Sequence, residues 1–147
     1  MATTPALKLD NQICHSLYSA TNALIRAYRP LLDAIDLTYP QYLVMLALWE
    51  EDDVAMKSLV SRTRFDAGTL TPMLKRLESK QLISIAASSE DLRQKRVCLT
   101  AAGKALFSEA QSVPGAMSCQ IDMPPHEALQ LKALAEQLYD LVIKNET

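Results

Sequence analysis

Apolar residues recur along most of this chain at the spacing of a helix face. The first such stripe predicts a helix over about residues 10–28, with Asp10 as its N-cap and a kink or an end at Pro30. Its apolar positions are Ile13, Leu17, Ala20 and Leu24. A second helix is predicted to begin after Thr38, with Pro40 in its first turn, and to run buried as far as Trp49.

The middle of the chain has the pattern of a DNA-binding unit. A short helix is predicted within residues 54–65, and Asp66 caps a second one that continues to about residue 80 across a distortion at Pro72. Its inward residues are Leu70, Leu74 and Leu77. Two short helices joined by a tight turn, the second with basic and hydroxyl side chains, are typical of a helix-turn-helix. The alternating segments 82–87 and 95–100 predict a two-stranded wing after it.

The last third is predicted to be helical again. Thr100 caps a helix that Pro114 and Gly115 are expected to stop, residues 115–125 are expected to form a loop, and Pro125 opens a final helix. The apolar stripe of this final helix is Leu131, Leu134, Leu138 and Leu141. The predicted fold is mainly α with a small β wing. Its single chain, 1–147, has N-terminal helices over 7–53, a winged helix-turn-helix over 54–100 and C-terminal helices over 101–147.

The amphipathic first and last segments either pack on the body of the protein or on a second copy. A homodimer is favoured, because a winged helix usually needs two half-sites for useful DNA specificity.

The charge distribution supports nucleic acid as a partner. The net charge of the chain is only −2, but residues 57–104 hold ten of the 15 basic residues and four of the 17 acidic ones. That segment therefore carries +6, and the rest of the chain carries −8. A basic middle between acidic ends is the electrostatic pattern of a nucleic-acid-binding segment.

The cysteines exclude some site classes. Three cysteines without metal-ligand spacing argue against a disulfide framework and against a zinc site, and no motif indicates a cofactor. The absence of a long apolar run and of a secretory signal leads us to expect a cytoplasmic protein without membrane contact. Cys14 falls about one turn inside the first predicted helix, where unpaired N–H groups and the helix dipole favour a thiolate. The alternative that Cys14 is a small apolar packing residue stays open.

Two sets of motifs carry a family resemblance. The run "SEDLRQKRVCLTAAGKAL" resembles the wing of MarR-type winged-helix regulators, whose pattern falls here on Asp91, Arg93, Leu99, Thr100 and Gly103. The segments "CHSLYSA", "YRPLLDAIDLTYPQYLVMLALWE" and "GTLTPMLKRLESKQLI" look like the organic-hydroperoxide-sensing, OhrR-like branch. The similarity covers about residues 7–143.

The resemblance implies a homodimeric repressor whose N- and C-terminal helices form the dimer interface. Such a repressor binds inverted-repeat operator DNA when reduced and dissociates when its N-terminal cysteine, here Cys14, is oxidised by organic hydroperoxides. Two tyrosines hydrogen-bond the sensing sulfur in that branch, and the matching positions are Tyr28 and Tyr39. In its two-cysteine type a resolving cysteine of the partner subunit closes a disulfide, and Cys119 occupies the corresponding region. Tyr18, one turn after Cys14, is a further candidate for the pocket wall.

The candidate DNA contacts fall into two groups. The second helix of the helix-turn-helix offers Thr69, Thr71, Lys75 and Arg76 to the major groove and its phosphates. On the wing, Arg93 is expected in the minor groove, with Asp91 orienting it and with Lys95 and Arg96 adding positive charge. Two other functions remain open: a MarR-type regulator that answers a non-covalent ligand, and a thiol peroxidase that uses Cys14 catalytically.

Overall fold

The computed structural model describes residues 1 and 4–146, and helices dominate it. Two 3₁₀ turns, Pro5–Leu7 and Leu9–Asn11, precede the first helix. The helices are α1 (Ile13–Asp33), α2 (Tyr39–Glu50), α3 (Met56–Thr63), α4 (Ala67–Ser79), α5 (Ala101–Ala110), α6 (Val113–Ile121) and α7 (Pro125–Lys144). The strands β1 (Val54–Ala55), β2 (Ile83–Ala87) and β3 (Lys95–Leu99) form one antiparallel sheet in the order β1-β3-β2. The chain divides into two compact units, Met1–Val113 and Pro114–Thr147.

The predicted start of the first helix was wrong, and the helix does not end at Pro30. Asp10 lies in a 3₁₀ turn, and α1 begins after Gln12, whose amide donates instead to the carbonyls of Ala6 and Lys8 at 2.8 Å each. At the other end α1 continues past Pro30 to Asp33. The burial of Leu32, which is 1% exposed, holds this last turn on the core despite the missing proline N–H.

The predicted caps of α2 and α4 are confirmed. Thr38 and Gln41 form a reciprocal capping box at α2, with bonds of 3.3 and 3.1 Å. Asp66 accepts the Thr69 N–H at 2.7 Å at the start of α4. As predicted, α4 runs on across Pro72. Its inward side chains, fully buried, are Leu70, Leu74 and Leu77.

The wing has three strands rather than the two expected. β2 and β3 pair from Ile83↔Leu99 to Ala87↔Lys95, close to the predicted segments. The third strand is β1, in which Val54 pairs with Val97. Two residues are too short to show an alternating pattern, so sequence analysis assigned them to the helix that follows.

The predicted loop around Cys119 was also wrong. α5 ends at Ala110, and a separate helix, α6, includes Pro114, Gly115 and Cys119. Proline is tolerated in the first turn of a helix because the N–H groups there have no intrahelical acceptor. Pro114 therefore marks a helix start, whereas it was interpreted as a stop.

The core of the Met1–Val113 unit places the wing against the helices. Trp49 on α2 donates to the carbonyl of Gly103 on α5 at 2.9 Å, and its ring meets Phe107 edge-on at 5.8 Å. A Cβ on Gly103 would overlap the carbonyl oxygen of Leu82 and lie 3.2 Å from Leu99, so only glycine allows this close approach. Within the described residues, no helix combines the length and hydropathy needed to span a bilayer.

Candidate sensor site and nucleic-acid interface

Three tyrosines cluster where α1 meets α2. The ring centroids of Tyr28 and Tyr39 are 4.8 Å apart, and Tyr42 lies 5.9 and 6.4 Å from them. Burial raises the pKa of all three hydroxyls, and for Tyr39 and Tyr42 neighbouring tyrosines raise it further. At neutral pH these hydroxyls are therefore protonated and available as hydrogen-bond donors. Tyr42, which is 3% exposed, was not predicted as part of this cluster because it lies within the apolar run of α2.

The structure does not bring Cys14 to Tyr28 within one chain. Cys14 is the second residue of α1 and is exposed, and Tyr28 lies fourteen residues further along the same helix. A rise of 1.5 Å per residue separates the two by about 21 Å along the axis. Tyr18 is 69% exposed near the start of the helix and is not part of the tyrosine cluster in the part of the chain described.

The three cysteines are all free thiols. Cys14 and Cys119 are exposed and lie in different compact units, the second on α6. Cys98 is half-buried in β3, where its Sγ donates to Oδ1 of Asp53 at 3.2 Å. Burial, and next the Asp53 carboxylate, raise the pKa of the Cys98 thiol. Among the described residues, no group of three or more histidine, cysteine or acidic side chains is placed to hold a metal ion.

The exposed side of α4 carries the predicted polar residues. Thr69, Lys75 and Arg76 are exposed, whereas Thr71 is half-buried and its hydroxyl donates to the carbonyl of Ala67 at 2.8 Å. The α4 leucines fix the helix on the core, so its polar face is held outward. This rigid presentation suits a helix that enters the major groove.

The four predicted wing residues lie in two different environments. Asp91, Arg93 and Lys95 are exposed, and Oδ1 of Asp91 accepts the backbone N–H of Arg93 at 2.9 Å, which fixes the turn that presents Arg93. Arg96 differs, because its Nε pairs with Oδ1 of Asp53 at 2.8 Å and its Nη2 bonds the Asp53 carbonyl. Arg96 therefore joins β3 to the start of β1.

A hollow of about 500 Å³ lies between the wing and the helix-turn-helix. It is lined partly by Lys57, Thr71, Arg93 and Lys95, with apolar neighbours such as Met56 and Val60. Lys57, which sequence analysis did not single out, shares this surface with three of the predicted DNA contacts. The basic charge of segment 57–104 gave the signal, but its position on α3 appears only in the fold.

A family model for the SarA/Rot transcriptional regulators matches residues 26–110, from the middle of α1 to the end of α5. The chain belongs to this family. These regulators have a MarR-like winged helix, so the predicted MarR-type resemblance and winged-helix fold are confirmed. The SarA/Rot chain is thus a transcriptional regulator and not a thiol peroxidase.

Relatives place this SarA/Rot chain near redox-related regulators. It is 39% identical over 136 residues to the organic hydroperoxide resistance transcriptional regulator of Bacillus subtilis (strain 168), covering 92% of this chain and 90% of that protein. Reduced AbfR of Staphylococcus epidermidis bound to DNA is 30% identical with a TM-score of 0.76, over 95% of this chain and 98% of that one. Disulfide-formed AbfR is 31% identical with a TM-score of 0.65, over 91% and 94%.

Proposed function

We propose that this protein is a homodimeric repressor that binds operator DNA when reduced and releases it when organic hydroperoxides oxidise Cys14. The observation that carries the proposal is the free, exposed Cys14 at the start of α1, in a chain 39% identical to an organic hydroperoxide resistance regulator. The B. subtilis relative supports the class of inducer, and DNA-bound AbfR supports operator DNA as the partner.

Helix length supports a dimer in which the sensor is shared. Cys14 lies about 21 Å along α1 from Tyr28 of its own chain, so hydroxyl contact with the sulfur requires the tyrosines of a second copy. α1 also exposes apolar residues that a single chain leaves uncovered, with Ile13 at 69% and Leu24 at 41%. α7 does the same along its stripe, with Leu134 at 63%. Covering such faces is the ordinary role of a dimer interface.

The proposed chemistry needs two thiols and one peroxide. The Cys14 thiolate attacks the terminal oxygen of the hydroperoxide and the O–O bond breaks. Cys14 becomes a sulfenic acid, and the alkoxide that leaves takes up a proton from water to become an alcohol. Protonated Tyr28 and Tyr39 hydroxyls donate hydrogen bonds to the thiolate, which stabilises its charge. The thiolate of Cys119 from the partner subunit then attacks the sulfenic sulfur, forming a disulfide as hydroxide leaves and takes up a proton to become water. Disulfide-formed AbfR supports this second step.

The proposed DNA contacts follow the exposed residues. α4 offers Thr69, Lys75 and Arg76 to the major groove, and Arg93 at the wing tip reaches the minor groove. The Arg96 guanidinium is already paired with Asp53, so we assign it a structural role in the wing.

A titration of DNA binding tests the proposal directly. The probe is a duplex selected from a random pool by the reduced wild-type protein. Cumene hydroperoxide should weaken wild-type binding at least about tenfold, equal to about 1.4 kcal/mol. The Cys14→Ser variant should bind equally well before and after treatment, because its hydroxyl is not oxidised. Cys98→Ser is the matched control and should respond like wild type, and release of DNA by Cys14→Ser would refute Cys14 as the sensor.

Non-reducing gels of the same samples test the resolving step. Wild type and Cys98→Ser should give a covalent dimer after peroxide, whereas Cys119→Ser should be oxidised at Cys14 without one. A covalent dimer from Cys119→Ser would remove Cys119 from the mechanism.

A non-covalent ligand bound at the tyrosine cluster finds less support from the space available there. The cavity beside Tyr39, lined partly by Ile25, Arg29 and Leu37, encloses about 180 Å³. Sites for small molecules usually enclose about 300–1,000 Å³. A wild-type protein that keeps its DNA affinity after peroxide treatment would restore this alternative.

A further inference from the structure

The corner between α1 and α2 is tied to the end of α4 by one side chain. Lys80 is the C-cap residue of α4, and its Nζ donates to the carbonyl of Asp36 at 2.5 Å and to Oε1 of Gln41 at 3.2 Å. The Asp36 carboxylate lies 3.5 Å from the same ammonium. Asp36 stands in the corner with a φ of 54°, a left-handed conformation that turns the chain between the two helices. The Lys80 ammonium thus has two hydrogen-bond acceptors and one ion-pair partner in this one corner.

Gln41 connects that ammonium to the tyrosine cluster. Its Oε1 accepts the Thr38 N–H at 3.1 Å as well as the Lys80 bond, and the residue is only 4% exposed. Tyr39 follows Thr38 directly and packs on Tyr28 at 4.8 Å. A displacement of the first turn of α2 therefore moves Gln41 Oε1, one of the two acceptors of Lys80, together with the Tyr39 ring.

Lys80 is not what holds α4 in place on the core. Leu70, Leu74 and Leu77 are fully buried, whereas the Lys80 side chain is 29% exposed. Although it belongs to the basic segment 57–104, its ammonium is directed at the α1–α2 corner. Since the leucines already hold α4 on the core, the contact of Lys80 contributes more to the orientation of the helix than to the stability of the fold.

We propose that Lys80 is the positioning residue through which the state of the tyrosine cluster reaches α4. This inference rests on the proposed function. When oxidation of Cys14 changes the hydrogen bonds of Tyr28 and Tyr39, the first turn of α2 shifts, and Lys80 carries the shift to the DNA-contacting helix. Charge-assisted hydrogen bonds suit this role because they are about twice as strong as hydrogen bonds between neutral groups.

The test compares the affinity ratio between reduced and peroxide-treated protein on the selected duplex. Lys80→Met keeps the stem and removes the ammonium. Lys104→Met is the matched control, since it removes the same charge from the same basic segment at a 66% exposed side chain. Lys80→Arg restores donors and charge. The rate of Cys14 oxidation is followed by mass spectrometry in each variant.

We expect Lys80→Met to bind DNA when reduced and to oxidise at Cys14 at the wild-type rate. The ratio of its DNA affinity before and after peroxide treatment should be at least about fivefold smaller than the wild-type ratio. Lys104→Met should keep the wild-type ratio, and Lys80→Arg should recover it. A wild-type ratio in Lys80→Met, or a slowed oxidation of its Cys14, would overturn the coupling role. A ratio of one in the wild-type protein would instead refute the proposed function, and this inference with it.

Discussion

At the scale of single residues, Asp53 controls two side chains of β3. Its carboxylate pairs with Arg96 and accepts from Cys98, and the Arg96 hydrogen bond is the main cause of its lowered pKa. Asp53 has a φ of 54°, which asparagine also tolerates, so Asp53→Asn removes the charge with little backbone strain. The variant separates the electrostatic effect on Cys98 from the effect of burial.

We expect Asp53→Asn to shift the pH profile of Cys98 alkylation to lower pH. Burial keeps the pKa of Cys98 above its ordinary value, but the carboxylate no longer raises it, so more thiolate is present at a given pH. Because the thiolate is the reacting form, Cys98 should react faster with iodoacetamide near pH 8 in the variant than in the wild type. Peptide mapping gives the rates of Cys14 and Cys119 in the same sample as internal controls. Unchanged Cys98 kinetics would show that the Asp53 carboxylate does not suppress this thiol.

At the scale of elements, the packing of α5 on the sheet depends on Gly103. The Leu82 carbonyl that a Cβ would overlap also accepts the Thr100 N–H at 3.0 Å, so it is not free to move away. Gly103→Ala should therefore destabilise the protein by about 2–3 kcal/mol. Gly115→Ala is the matched control on α6, where a Cβ meets nothing within 4 Å and alanine should add up to about 1 kcal/mol. Urea denaturation at one protein concentration measures both, and equal stabilities would contradict the close approach.

Helices whose apolar pattern and N-cap residue indicate the same bounds were predicted well from the sequence. α4 has a clear apolar stripe and the cap Asp66, α2 has an apolar run and the cap Thr38, and both were found within a few residues of their true bounds. α6 was missed because a proline followed by a glycine, here Pro114 and Gly115, can stand either in the first turn of a helix or in a loop. β1 was missed because its two residues are defined by pairing with β3.

The candidate sites were predictable only as far as local sequence and family resemblance reach. The resemblance supplied Tyr28 and Tyr39, and the fold shows that their rings are in contact. The ion pair of Arg96 with Asp53 was not predicted, because it joins residues 43 positions apart. Lys80 was counted as part of a basic segment for the same reason, since its acceptors lie on the α1–α2 corner.

At the scale of the whole molecule, the proposed sensor is completed across two copies. Mixed dimers of Cys14→Ser and Tyr28→Phe chains test this arrangement. In such a dimer the one remaining Cys14 faces the intact Tyr28 of the other chain if the site is shared, but it faces the substituted ring of its own chain if it is not. We expect the mixed dimer to oxidise at the wild-type rate in stopped-flow assays, and the Tyr28→Phe homodimer to oxidise about tenfold more slowly. A mixed dimer as slow as the Tyr28→Phe homodimer would assign the site to a single chain.

Pro72 gives the two ends of α4 different dynamics. It has no N–H to offer the carbonyl of Gly68, so the ladder is interrupted within the first turn and a half, where Thr69 and Thr71 lie. Beyond it, the turns around Leu74 and Leu77 are fully buried. Amide protons from residue 73 onward should therefore exchange with solvent only through large-scale opening, whereas those of the first turn exchange through local fraying. Of the residues proposed to contact DNA, Thr69 thus lies in the more mobile first turn of α4, whereas Lys75 and Arg76 lie in the part that the buried leucines hold rigid.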